Sequence, residues 1–245
     1  MSVDTDKSVR ELALENPATT RVFEKLGIDY CCGGKRSLEE ACRTANLNLD
    51  EVLASLEKAG EATPAAQSDW QAEPISALIA HIKETHHKFT REEIGRLGPL
   101  FAKVCSVHGN AHPELLRIRE LFQELANELS SHLMKEEIIL FPYLIGMEAA
   151  LSRDESIARA PFGSVQNPIS MMEHEHDSAG SALRAMREAA NGYSAPNDAC
   201  VSYQTLYTAL AAFEADLHQH IHLENNVLFP RAVAMERGRS AQPSA

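Results

Sequence analysis

Two copies of one pattern, His-x-x-x-Glu-x-x-x-x-Phe-Pro, stand 88 residues apart in this chain of 245. The first copy reads His132, Glu136, Phe141 and Pro142; the second reads His220, Glu224, Phe229 and Pro230. A spacing of four places His and Glu one above the other on a helix face, where both can reach one metal ion. The repeat also extends backwards, because His87 lies 45 residues before His132 and His176 lies 44 before His220. Each half is therefore a helix with a His, a connection, and a helix with His-x-x-x-Glu. Two equivalent halves related by a pseudo-twofold gather His87, His132, Glu136, His176, His220 and Glu224. Four imidazoles and two carboxylates able to bridge suit two non-haem iron ions.

Other histidines compete for these places. His86 adjoins His87 and His174 lies near His176; only the near-equal repeat spacing favours His87 and His176. His218 and His222 flank His220 by two residues, about 200° around a helix, and read as surface positions or supports outside the ligand set. His108 lies roughly 31 Å along an unbroken helix from His87, too far for a shared centre. Glu175, beside His176, reads either as an exposed acid or as a residue lining an entrance and tuning the site.

A centre of this kind needs long helices to hold it. Pro74, Pro113 and Pro168 suit helix starts, and a fourth start is expected near Asp198. Apolar residues recur at helical spacing behind them, among them Ile75, Leu78, Ile79, Leu115, Leu116, Leu121, Ile169, Met172, Leu206 and Leu210. Around the motifs, Leu125, Leu129, Ile139 and Leu140, then Phe213, Leu217, Val227 and Leu228, extend the same faces. That context argues against surface ion pairs, since an unpaired carboxylate inside such a core costs several kcal/mol. Pro142 and Pro230 each remove a helix hydrogen bond, so a kink is expected just past each Glu. No segment reads as a strand.

The first 60 residues read as short helices. Ser8 with Glu11 and Ser37 with Glu40 form candidate capping boxes, Gly27 ends a helix running from Thr19 to Leu26, and Asp50 caps one reaching Lys58. The expected organisation is an all-α chain: a helical domain over 1–60, a linker over 61–73, a four-helix bundle over 74–237 and a tail over 238–245. Hydrophobic residues make up 44% of the chain, enough for a real core. The net charge of −12 argues against nucleic acid or an anionic membrane as partner. No apolar run suggests a membrane span, and the acidic N-terminus does not resemble a signal peptide. Five scattered cysteines fit a reducing cytoplasm better than a disulfide framework.

Between two of the short helices lies Asp29-Tyr30-Cys31-Cys32-Gly33-Gly34-Lys35, a glycine-assisted tight loop. Adjacent α-carbons are about 3.8 Å apart, so a Cys31–Cys32 disulfide would be strained. Lys35 and Arg36, if close, favour thiolate. The pair reads either as a structural loop or as a place for redox chemistry, reaction with nitric oxide, or iron handling. Cys42, Cys105 and Cys200 fit apolar helical faces.

The His…His-x-x-x-Glu…His…His-x-x-x-Glu order resembles the hemerythrin-like superfamily. With the Cys31-Cys32 block, Ser131–Glu137, Glu175-His176-Asp177 and Leu223–Pro230, the whole chain resembles the repair-of-iron-centres family. Residues 96–113 and those after Glu236 carry no motif of that family. The resemblance implies a hemerythrin-like four-helix bundle behind a small N-terminal Cys-Cys domain. It further implies two non-haem irons, oxo- or hydroxo-bridged when oxidised, with four terminal His ligands and with Glu136 and Glu224 as bridges. It implies a cytoplasmic protein, in some cases a homodimer, that acts on iron–sulfur proteins damaged by nitric oxide or peroxide. The chemistry implied is iron donation or nitric oxide reduction; a carrier or sensor of dioxygen or nitric oxide is the alternative. Ferritin-like oxidases fit less well, because they use Glu-x-x-His pairs.

Overall fold

Every named element among the described residues is helical, and the order is four short helices followed by four long ones. The computed structural model describes residues 3–61, 69–157 and 160–240. The short helices are α1 (Val9–Glu15), α2 (Ala18–Leu26), α3 (Leu38–Thr44) and α4 (Leu49–Glu61). Ser8 and Glu11 close a full capping box on α1, and Ser37 accepts the Glu40 N–H at the start of α3. Gly27 ends α2 in the left-handed conformation at φ +69°, which its lack of a Cβ permits. Asp50 does not cap α4. Asn48 does, accepting the Asp50 N–H at 2.9 Å, which leaves Asp50 inside the first turn near the positive end of the helix. Val9, Leu12, Phe23, Tyr30, Leu38 and Leu56 form a small core of their own.

The long helices are α5 (75–108), α6 (114–152), α7 (Gln166–Ala189) and α8 (201–240). They form an up-down-up-down bundle in which α5 packs mainly on α8 and α6 on α7. The last helix runs three residues into the expected tail. Most of the expected linker lies outside the described residues, but 69–73 is pinned rather than free. Trp70 stacks on His81, and Arg231 donates to the carbonyls of Trp70 and Glu73. Cys200 is exposed just before α8 rather than on an apolar face, and Leu116 and Ile139 are also exposed.

The bundle has two apolar blocks. One holds Leu97, Phe101, Phe122, Leu129, Leu183, Phe213 and Leu217; the other holds Ile79, Ile82, Phe141, Met172, Leu228 and Phe229. On every long helix the passage from one block to the other crosses a buried His, or a His and a Glu. The polar residues thus form a layer across the waist of the bundle.

Three π-turns lie in this layer, at Ile82–His87, Glu136–Leu140 and Glu224–Leu228. The expected kinks at Phe-Pro take this form. Pro142 offers no N–H to the carbonyl of Ile138, and the chain opens by one residue so that Phe141 N–H donates to the carbonyl of Glu136 instead. Phe229 and Glu224 repeat the arrangement. Each proline then falls in the first turn of the α-helical segment that follows, where its missing N–H costs little.

Candidate metal centre

His87, His132, Glu136, His176, His220 and Glu224 converge at the waist, each no more than 3% exposed. They form two overlapping groups of potential ligands: His87, Glu136, His220 and Glu224, and His132, Glu136, His176 and Glu224. Both carboxylates belong to both groups. Glu136 Oε1 lies 3.4 Å from His132 Nε2, while its Oε2 lies 3.5 Å from His87 Nε2. Glu224 Oε1 lies 3.0 Å from His220 Nε2, while its Oε2 lies 3.2 Å from His176 Nε2. The His pairs cross the internal repeat. His87 of the first half faces His220 of the second at 3.1 Å, and His132 faces His176 at 3.1 Å. The two halves of the sequence are thus interleaved, and neither makes a position by itself.

In three of the four imidazoles the Nε2 atom points inward while the Nδ1 atom is engaged elsewhere. Glu137 Oε1 meets His87 Nδ1 at 2.7 Å, Glu175 Oε2 meets His132 Nδ1 at 2.7 Å, and Asn225 Oδ1 meets His176 Nδ1 at 2.8 Å. Such outer partners fix the tautomer and strengthen an imidazole as a ligand. Glu175 also pairs with Lys135, and Glu137 with Arg91. Glu137 and Asn225 are the partners that the sequence reading missed; they directly follow Glu136 and Glu224.

All four carboxylate oxygens of Glu136 and Glu224 are buried without a hydrogen-bond partner. Buried ionised carboxylates need a compensating charge. A pair of divalent cations among these oxygens and four imidazoles supplies it, so the donor set fits a dinuclear centre of the nitrogen- and oxygen-ligated kind.

A profile described as "Hemerythrin HHE cation binding domain" matches residues 77–232, and one described as "Domain of Unknown function (DUF542)" matches residues 5–60. The Iron-sulfur cluster repair protein YtfE of Pectobacterium atrosepticum is 39% identical over 234 residues, spanning 94% of this chain and 98% of that protein. The protein of the same name from Escherichia coli O1:K1 is 36% identical over 231 residues, with the same shares covered. This chain belongs to the iron-centre repair family of hemerythrin-domain proteins. The family's bundle is a cation-binding domain, in keeping with the buried His and Glu layer.

Charge in the layer follows from its acids. Burial opposes protonation of His87, but the nearby Glu136 and Glu224 carboxylates outweigh it and push its pKa up to about 10. His132 is pushed up to about 9 against the same burial, chiefly by the charge of Glu136. His220 is pushed down by burial. Burial also works to raise Glu224, yet His220, His176 and His87 hold it well below the carboxylate range.

The remaining candidates lie elsewhere. His86 is buried beside the layer with its Nδ1 on Asp216 at 3.0 Å, and its ring stacks on that of His220. His174 is exposed. His108 lies at the far end of the bundle, 3.2 Å from Cys200 Sγ. His218 and His222 face the N-terminal domain, as the 200° rotation requires, but that face is covered. Both rings meet Tyr30 edge-on, and burial pushes both pKa values down to about 4. Cys32 Sγ lies 3.5 Å from the carbonyl oxygen of His176. The expected thiolate at Cys31 is not favoured: its contact with Cys32, its burial and nearby Asp29 all push the thiol up. Among the described residues no helix is long and apolar enough to cross a membrane.

Proposed function

We propose that this protein repairs iron–sulfur clusters damaged by nitrosative or oxidative stress, and that it does so by supplying iron held in the bundle. Two irons would be held by His87 and His220 and by His132 and His176, with Glu136 and Glu224 available to both positions. The observation that carries this reading is the pair of buried carboxylates whose four oxygens have no other partner. When bound, the irons supply a centre that can change oxidation state and take small ligands. The chain's own part is to keep the layer dry, to aim each Nε2 inward, and to share the charge of each carboxylate between two positions. Ligation by imidazole and carboxylate holds ferrous iron less firmly than thiolates would, which suits iron given up as cargo. The partners in this reading are damaged iron–sulfur proteins in the cytoplasm.

Chemistry on nitric oxide at the same centre is the second reading. It is favoured by a cavity of about 350 Å³ lined by Leu129, His132, Lys135, Glu175, His176 and His220, room enough for a small ligand beside one His pair. The deciding experiment is reactivation of a nitric-oxide-damaged iron–sulfur enzyme. Iron-loaded protein is expected to restore activity, with iron leaving the protein in proportion. Equal recovery with metal-free protein overturns iron supply, and nitrous oxide formed over repeated turnovers establishes the second reading in its place.

A further inference from the structure

The Cys31-Cys32 loop carries a separate constellation. Asp29 Oδ1 accepts the backbone N–H groups of Cys31 at 3.1 Å and Cys32 at 2.9 Å, and lies 3.4 Å from Cys31 Sγ. The two sulfurs are 3.8 Å apart. The glycines that follow keep this shape. A Cβ on Gly34 would stand 2.4 Å from the carbonyl oxygen of Tyr30, and one on Gly33 would stand 3.0 Å from Asp29 Oδ2. A carboxylate oxygen and two sulfurs thus converge within 4.8 Å of one another.

Those separations have a specific meaning. A disulfide needs sulfurs about 2.05 Å apart, far closer than they stand. A tetrahedral ion with thiolate bonds of about 2.3 Å sets two sulfurs about 3.8 Å apart, and with an oxygen at about 2.1 Å sets sulfur and oxygen about 3.6 Å apart. The loop offers 3.8 Å and 3.4 Å with its backbone as it stands.

We propose that Asp29, Cys31 and Cys32 form a third cation site, which takes one thiolate-preferring divalent ion such as zinc or ferrous iron. Three protein donors leave a fourth position open for exchange. The site lies directly on α7, where Cys32 Sγ approaches the His176 carbonyl and Gly180 leaves room one turn further on. An ion held there sits against the helix that presents one ligand of the bundle centre. The binding claim rests on the loop's geometry alone; a part in passing iron onward rests also on the cluster-repair reading.

The test uses reduced full-length protein with its bundle centre filled, titrated anaerobically with cobalt(II). One further equivalent is expected to bind with thiolate-to-cobalt charge-transfer absorption, a signature that the His and carboxylate centre does not give. Cys32→Ser and Asp29→Asn are each expected to weaken it by at least about tenfold, while Glu136→Leu, which disrupts the bundle centre, leaves it in place. Absence of that absorption in the wild type, or equal absorption in the Cys31→Ser, Cys32→Ser chain, overturns the proposal. Because Cys31 is buried, a measurement without substitution accompanies these: saturating zinc should protect the half-buried Cys32 from alkylation, read by mass spectrometry. An unprotected Cys32 overturns the site.

Discussion

The two His pairs share the same carboxylates but have unlike surroundings. His132 and His176 border a cavity that also touches His220, and His132 leans on Glu175, which is itself paired with Lys135. His86 stacks beside the other pair, its ring 5.8 Å from that of His220 and nearly parallel to it. His220 Nδ1 has no partner at all. In the repeat, His86 stands where the other half has Glu175, each directly before its ligand His. One difference between halves thus puts an acid beside one pair and an aromatic ring beside the other. The lesson is that equal ligands need not make equal positions, because the groups behind and beside them set access and grip.

That comparison can be broken first at what the pairs share. Glu136→Leu or Glu224→Leu should lower iron from about two per chain to well under one, since each carboxylate serves both pairs; elemental analysis of anaerobically purified protein checks this. Unchanged iron in both variants would sink the ligand set. The comparison is sharpened by Glu175→Gln and Glu137→Gln, which reach different pairs. Each should weaken one iron position about 10–100-fold and spare the other, so chelator-driven release should separate into two phases. The same phase accelerated by both variants would count against unlike positions.

A smaller effect is expected at the helix starts. Glu148 accepts the N–H groups of Ile75 and Ser76, and Glu236 accepts from Ser164 Oγ and Val165 N–H. Loss of either carboxylate should cost about 1 kcal/mol, as for other helix caps, measured by urea unfolding. Burial works to raise the Glu148 carboxyl, but the Ser76 and Ile75 hydrogen bonds hold it below the ordinary value of 4.5. Its contribution is therefore complete above 4.5 and lost as pH falls through the lower folded value, so Glu148→Ala should matter less in acid. The smallest effect is at the far end, where hydrogen bonds to Asp198 and then Glu114 raise the pKa of His112 above 6.5. Its contribution is present below 6.5 and fades as pH rises through the raised value, so His112→Ala should lower Tm slightly in acid buffer and leave it unchanged in alkaline buffer.

How much of this was legible depended on whether the signal was local. The six residues of the layer stood out because a repeated His-x-x-x-Glu is rare and its spacing is helical. The crossing of His pairs was not legible, since it depends on how helices pack rather than on their order. Glu137 and Asn225 escaped notice because the two halves use different residue types for one task. Glu148 and Glu236 lie twelve residues past Glu136 and Glu224, so the repeat continued beyond the Phe-Pro where its reading stopped. Helix arithmetic turned His218 and His222 away from the centre, but only the docked N-terminal domain explains why that face is covered. The π-turns were hidden because a proline announces a lost hydrogen bond without saying how the helix recovers it.

The polar layer also governs how the bundle comes apart. Four helices run unbroken through a waist where acids and imidazoles replace apolar packing, so the blocks on either side cohere without help while the waist does not. Ions held there would act as mortar between two masonry courses. Stripped of them, the bundle should open from the middle: amide hydrogen exchange around residues 132–140 and 220–228 should quicken first, while the block around Phe122 and Phe213 stays protected.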